Sequence, residues 1–338
     1  MVKRLEKLIR SFRGRRVAVF GDVVADEFVY GRTYRLSREA PIPIVRFDHS
    51  EIRLGGAANV VNNLLAMGAR AFPIGIIGVD EPGREVLSLF SQAGADTAGL
   101  IRDKNRSTIT KTRILAGDVG TVTQQMLRLD RGSNGELGSR LRRSLTDAFE
   151  AAARGADGVI FSDYGEGILP DHVRDDLLAR ARRHGLCTVA DSRFKIHMFR
   201  GVTAVTPNVP ELSQYAKRFV ESDEEIARAA ASLQRRTGCR GVLVKRGSRG
   251  MALHRRGREL ALYRPYGSVE VADVTGAGDT VIAAFTLALC CGGAMEDAAL
   301  IANVAGGIKV GKRGTATVST AELLHGVDDA VHGEHQST

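Results

Sequence analysis

Short apolar runs alternate with longer helical stretches along the whole chain, and this alternation restricts the fold more than any other feature. Residues 16–22 (Arg-Val-Ala-Val-Phe-Gly-Asp) are an apolar run ending in a polar switch, the pattern of a buried strand. Further strands are expected at 71–78, 158–163, 187–191, 203–208 and 241–245. Helical stretches at 55–68, 82–93, 136–154, 170–184 and 223–237 separate or flank them, and apolar helices follow at 278–291 and 295–310. Parallel strands need a crossover of about a dozen residues or more, which such helices provide. The expected fold is therefore α/β: a doubly wound, mostly parallel sheet with helices on both faces.

Two stretches break the rhythm. Residues 23–54 (with Pro41 and Pro43) and 106–130 have strand-like composition and no helical period, so a small β-sheet lid is expected there. A hairpin is expected around 250–272, and a short amphipathic helix at 3–10. No repeat or linker separates these parts, so residues 1–325 are expected to form one domain, with 326–338 a loose tail.

A chain of 338 residues with 43% hydrophobic content can bury a sizeable core. The net charge of +9 invites a nucleic-acid reading, but the arginines are scattered, aromatics make up 5% and Trp is absent. A solvated basic surface is the expectation, with neither nucleic acid nor membrane as partner. The longest apolar run, near 281–291, is too short to span a bilayer, and the basic start lacks the apolar core of a secretory signal. Cys187, Cys239, Cys290 and Cys291 show neither metal-ligand spacing nor a disulfide framework, which fits a cytoplasmic location.

Chemistry is expected first at 276–280, Gly-Ala-Gly-Asp-Thr, a small-residue turn that opens an apolar helix. The backbone amides of Gly276, Ala277 and Gly278 can approach an anion closely, and the helix dipole favours negative charge there. Asp279 places a carboxylate beside that anion site. It is poorly suited to binding phosphate and well suited to taking a proton from a hydroxyl that attacks phosphate.

Asp22, Asp163, Asp191, Asn208 and Lys245 stand at the expected carboxyl ends of strands, where ligands collect in such sheets. Asn208 and Glu211, three apart, suit Mg²⁺ held through water, and suit a helix capping box equally well. Gly-Gly-Ala-Ala-Asn at 55–59 and Lys-Arg-Gly-Ser-Arg-Gly at 245–250 are further small-residue turns, weak as isolated motifs. Neither a Walker A motif nor a Gly-x-Gly-x-x-Gly fingerprint occurs.

Taken together and in order, Gly-Asp at 21–22, Gly-Gly-Ala-Ala-Asn at 55–59, Asn-Val-Pro-Glu at 208–211 and Asp-Val-Thr-Gly-Ala-Gly-Asp-Thr at 273–280 resemble the ribokinase-like carbohydrate kinases of the phosphofructokinase B family. Ser-Arg-Glu-Ala-Pro-Ile-Pro-Ile-Val at 37–45, Ser-Asp-Tyr at 162–164, Thr-Pro-Asn at 206–208 and Lys-Arg-Gly-Thr-Ala-Thr-Val at 312–318 most resemble the kinase domain of bacterial heptose 7-phosphate kinases. The resemblance implies ATP-dependent phosphorylation of a sugar, here D-glycero-β-D-manno-heptose 7-phosphate to its 1,7-bisphosphate. Many such kinases are fused to an adenylyltransferase domain, and that second activity is expected to be absent from this chain. The alternatives are a kinase for another sugar or sugar acid (ribose, fructose, 2-keto-3-deoxygluconate) and a non-catalytic sensor on the same fold.

By the same resemblance Asp279 is the general base, and Gly276, Ala277 and Gly278 hold the transferred phosphoryl group. Asp22, Gly55, Gly56 and Asn59 bind the sugar, while Asn208 and Glu211 position Mg²⁺. Lys245, Gly247, Gly250 and Asn303 line the ATP, and Asp273 and Thr275 mark a K⁺ site. Arg128, Arg193 and Lys195 are the candidates for a substrate phosphate, and the lid is expected to join a homodimer. Two positions depart from the heptose-kinase pattern: Glu166 stands where those enzymes tend to have Lys, and Asp191-Ser192-Arg193 where they tend to have Asp-Pro-Lys. Glu166 reverses a charge near the phosphosugar pocket and so leaves the choice of sugar open.

Overall fold

The computed structural model describes residues 1–117, 124–132, 135–267 and 272–333. Parts of the expected lid, hairpin and tail (118–123, 268–271 and 334–338) lie outside the described residues. Its strands are β1 (Arg16–Gly21), β2 (Val23–Leu36), β3 (Pro43–Gly56), β4 (Arg70–Gly78), β5 (Leu100–Asp103), β6 (Ile109–Gly117), β7 (Gln124–Arg131), β8 (Gly158–Asp163), β9 (Cys187–Ser192), β10 (Ala204–Val205), β11 (Gly241–Lys245), β12 (Met251–Arg255) and β13 (Ala261–Tyr263). Its helices are α1 (Val2–Arg10), α2 (Ala57–Ala66), α3 (Glu81–Ala93), α4 (Ser139–Ala153), α5 (Asp171–Arg183), α6 (Val209–Ala216), α7 (Asp223–Thr237), α8 (Ala277–Cys290), α9 (Met295–Val310) and α10 (Thr320–Gly333).

Nine strands form one sheet in the order β13-β12-β11-β10-β9-β8-β1-β4-β5. Pairing is parallel from β11 to β5, and only β12 and β13 pair antiparallel at one edge. Alternation along β1 shows why both faces are covered. Val17 and Val19 point into a core shared with α1, α2, α8 and α9. Ala18 and Phe20 point into the other, under α4, α5 and α7, where the rings of Phe20, Phe149, Phe161 and Phe199 meet. Each side chain on such a strand therefore has a helix above it, the condition for a near-continuous apolar run.

A separate four-stranded sheet, β3-β2-β6-β7, stands on this frame as the lid. β2 and β3 begin or end in the core, at Val23–Ala25 and Leu54–Gly56, while residues 32–36 of β2 and 46–50 of β3 are exposed. The lid is thus anchored beside Asp22 and projects over the carboxyl ends of the main strands.

Three expectations need correction. Residues 326–333 are not a loose tail: they continue α10, where Val327 and Val331 are buried and Glu322 accepts from the Ser319 amide and hydroxyl. Gly55 and Gly56 close β3, and Gly56 also caps α2, so the helix begins at Ala57 rather than at 55. The edge strand β5, four residues long, has no counterpart in the expected pattern. Among the described residues, no helix is long and apolar enough to cross a membrane.

Candidate active site

The carboxyl ends of β1, β8, β9, β10 and β11 deliver their polar residues to one level, as the strand-end pattern requires. Between them and the lid lies a cleft of about 320 Å³, lined among others by Asp163, Asp191, Asn208, Lys245, Gly276 and Asp279. Asp22 sits one step aside. It lines a smaller adjoining cavity with Glu166, where its Oδ2 accepts from the amides of Tyr164 (2.8 Å) and Glu166 (3.3 Å). Its Oδ1 is buried without a partner among the described residues. Burial, and then the charge of Asp163, push the Asp22 carboxyl up to about 7.

Asp279 lies in the first turn of α8 and is 6% exposed. Gly276, the residue before that helix, adopts φ +76°, and a Cβ there would meet Asn59 Nδ2 at 2.5 Å. The close approach lets Asn59 donate from Nδ2 to Asp279 Oδ2 at 2.7 Å. Asn63 donates to the other end of the Asn59 amide at 3.3 Å, and Asn63 itself accepts from Thr280, so the Asn59 orientation is determined by its neighbours. The Tyr164 hydroxyl donates to Asp279 Oδ1 at 2.6 Å. Burial pushes the Asp279 carboxyl up to about 6, and the two hydrogen bonds oppose that rise.

Lys245 Nζ, facing Asp279 across Gly278, contacts Asp191 Oδ2 at 2.6 Å. Burial would push this ammonium down, but Asp191 and Glu211 outweigh it and hold it above its usual value. It stays charged and faces the helix end where an anion would sit. Glu211 is pushed up to about 7 by burial first and by Asp191 second. Carboxylates crowded in this way suit a divalent cation, which would relieve their repulsion.

Several assigned roles change on inspection. Asn208 and Glu211 form a complete capping box on α6, each accepting from the other's amide at 2.8 Å, so both are structural as well as cleft-lining. The Ala277 amide donates to the Val274 carbonyl at 3.2 Å and is spent within the turn, whereas Gly276 and Gly278 line the cleft. Gly247 and Gly250 border a short turn after β11, and Asn303 donates to the Arg264 carbonyl at 2.7 Å. None of these three lines the cleft. Asp273 accepts from the amides of Thr275 (2.8 Å) and Gly314 (2.9 Å), tying two loops together, and Thr275 reaches the cleft. Among the described residues, no group of three or more His, Cys, Asp or Glu is arranged to hold a metal ion.

Of the anion candidates, Arg128 and Arg193 line the cleft, and Lys195 instead pairs with Asp171 at 3.0 Å. Gly56, at φ +56°, lines the cleft, and a Cβ on Gly55 would collide with Asp26. The lid adds residues that sequence reasoning missed. Arg113 pairs with Asp26 at 2.7 Å, and Lys111 lies 3.8 Å from Glu166 and over the Tyr164 ring. Their i, i+2 spacing on a strand was the available signal, since alternate residues share a face. Tyr164 was visible only as part of Ser-Asp-Tyr.

A buried carboxylate at a helix N-terminus, under a lid on an α/β sheet, defines a class. Residues 15–322 match the model of the pfkB family carbohydrate kinases, and the chain belongs to that family. It is 41% identical over 320 residues to the bifunctional protein HldE of Mesorhizobium japonicum, covering 94% of this chain and 63% of that protein. The chain thus spans a little under two thirds of the length of the curated relatives it matches. Its fold is that of Arabidopsis thaliana ribokinase complexed with ribose and ATP (TM-score 0.75, 21% identity, 93% and 99% of the two chains covered). The same holds for the tetrameric inhibited form of Escherichia coli phosphofructokinase-2 (TM-score 0.78, 18% identity, 94% and 99% covered).

Proposed function

We propose that the protein transfers the γ-phosphoryl group of ATP to a sugar hydroxyl, with Asp279 as general base. The observation that carries this reading is Asp279 itself: buried in the first turn of α8, opposite the Lys245 ammonium and beneath the lid. The acceptor oxygen bonds to the γ-phosphorus as the bond to the departing ADP oxygen breaks, and its proton passes to Asp279, so positive charge does not build up on the attacking oxygen. Lys245 and the helix N-terminus would hold the phosphoryl oxygens, Asp22, beside the cleft, would accept from a sugar hydroxyl, and Asp191 and Glu211 would hold Mg²⁺. Mg²⁺, when bound, neutralises phosphate charge.

The proposed acceptor is D-glycero-β-D-manno-heptose 7-phosphate. Lys111, Arg113, Arg128 and Arg193 approach the cleft from lid and sheet, which suits a sugar that already carries a phosphate, and the motif resemblance points the same way. Glu166, which set this chain apart, is answered by Lys111. The proposal includes a cytoplasmic protein and a homodimer joined through the lid.

Asp279→Asn should lower turnover by about 10³-fold while nucleotide binding, measured by calorimetry, is retained. Turnover near the wild-type rate would overturn the base assignment. ADP release measured across sugar 7-phosphates and free sugars tests the acceptor. If only a free sugar turns over, the heptose assignment fails and the kinase reading stands.

A further inference from the structure

At the end of the sheet opposite Asp279, where β9, β10 and β11 begin, four arginines surround a second cleft of about 560 Å³. Arg240 precedes β11, Arg255 ends β12, and Arg256 and Arg258 lie in the turn leading to β13. Leu186, Leu289 and Met295 give this cleft an apolar wall, and no Asp or Glu lines it. Among the described residues, Arg255 alone of the four is ion-paired, to Glu296. The carboxyl ends of α5 and α8 also reach this rim, next to Gly185 and Gly292. Each helix end carries roughly half a negative charge. Four guanidinium groups less Glu296 and two helix ends leave an excess of about two positive charges. Such an excess in a concave site calls for an anion.

We infer that this cleft binds a small molecule carrying two or more phosphates, with a flat apolar part as in a nucleoside diphosphate. Arg240, Arg256 and Arg258 would hold the phosphates, since guanidinium forks match phosphate oxygens. The ring would lie on Leu186, Leu289 and Met295. The volume falls within the usual range of small-ligand sites. The cleft lies at the opposite ends of the strands from Asp279, so the inference is independent of the proposed reaction.

Cys187 lies on the cleft wall and supplies a local reporter. A hydrogen bond from Cys290, with a contribution from Arg240, holds its thiol below the usual value, which favours alkylation. In the full chain, alkylation of Cys187 by iodoacetamide is followed by peptide mass spectrometry with tripolyphosphate, ADP or a short single-stranded oligonucleotide added. Tripolyphosphate and ADP at millimolar concentration and low salt should each slow the reaction about fivefold or more, because an occupied site shields the thiol. The Arg240→Gln/Arg258→Gln variant should lose that protection while its circular dichroism and basal turnover stay at wild-type values. Absence of protection, or protection that persists in the variant, would overturn the inference. So would tighter, arginine-dependent protection by the oligonucleotide, which would assign the face to nucleic acid. If that variant fails to fold, Arg256→Gln alone, in the exposed turn, carries the same test.

Discussion

Asp279 is held between two opposing influences. Burial raises its pKa, and the donors Tyr164 and Asn59 favour the charged form; burial wins, leaving the carboxyl at about 6. A base with this value is deprotonated at neutral pH yet basic enough to accept a proton. Activity should therefore rise with pH through about 6 and level off above it. Tyr164→Phe removes one donor to the carboxylate, so the pKa must move further up, by about one unit. The variant should lose more activity at pH 6 than at pH 8, seen as an upward shift in the kcat/KM profile. An equal loss at every pH would mean that Tyr164 only fills space. The phenol itself stays neutral, because burial and the neighbouring Asp279 charge push it well above its usual value.

At the scale of elements, the ends of helices decide the outcome. Asp80 precedes α3 and accepts from the Gly83 amide at 3.0 Å, the Thr108 amide at 2.8 Å and the Thr108 hydroxyl at 2.6 Å. One carboxylate thus caps a helix and pins the strand leading to the lid. Burial raises its pKa, but the Thr108 and Gly83 hydrogen bonds outweigh burial and the net shift is downward. Its contribution is therefore present above the unfolded value of 3.8 and is lost as pH falls through the lower folded value. Asp80→Ala should cost about 2 kcal/mol at pH 7 by urea denaturation. The gap from wild type should narrow below pH 3.8; a gap that stays constant would refute the linkage. Local signals of this kind made α7 legible to the residue: Ser222 and Glu225 close a capping box at its start, and Gly238 ends it at φ +70°. At α10 the polar composition of 326–338 hid signals of the same kind: Ser319 and Glu322 each accept from the other's amide at its start, and Leu323, Val327 and Val331 recur at helical spacing and are buried against the frame.

Across the whole molecule a different limit governs the site. The level at which Asp22, Asp163, Asp191, Asn208 and Lys245 gather was legible, because every parallel strand ends at the same edge. Which partner each would take was not: Asn59 and Asp279 are 220 residues apart, and Tyr164 and Asp279 are 115 apart. The lid shows the distinction again. Its strands were visible from composition, but only their three-dimensional arrangement reveals that Tyr34, Leu36, Ile42, Phe47, Leu127 and Leu129 remain exposed. On β7, Leu127 and Leu129 alternate with Arg128, so while the arginine lines the cleft the leucines face away from it. An apolar lid surface of this kind is unfavourable in water and fits a protein interface. The proposed homodimer would bury it and brace the arginine over the cleft. Sedimentation velocity at micromolar concentration should show a dimer for the wild type and a monomer for Phe47→Asp/Leu129→Asp, with unchanged far-UV circular dichroism. The monomer should bind its sugar more weakly, because the lid strand that carries Arg128 loses its support. A wild type that sediments as a monomer, or a variant that stays dimeric, would remove the lid from the interface.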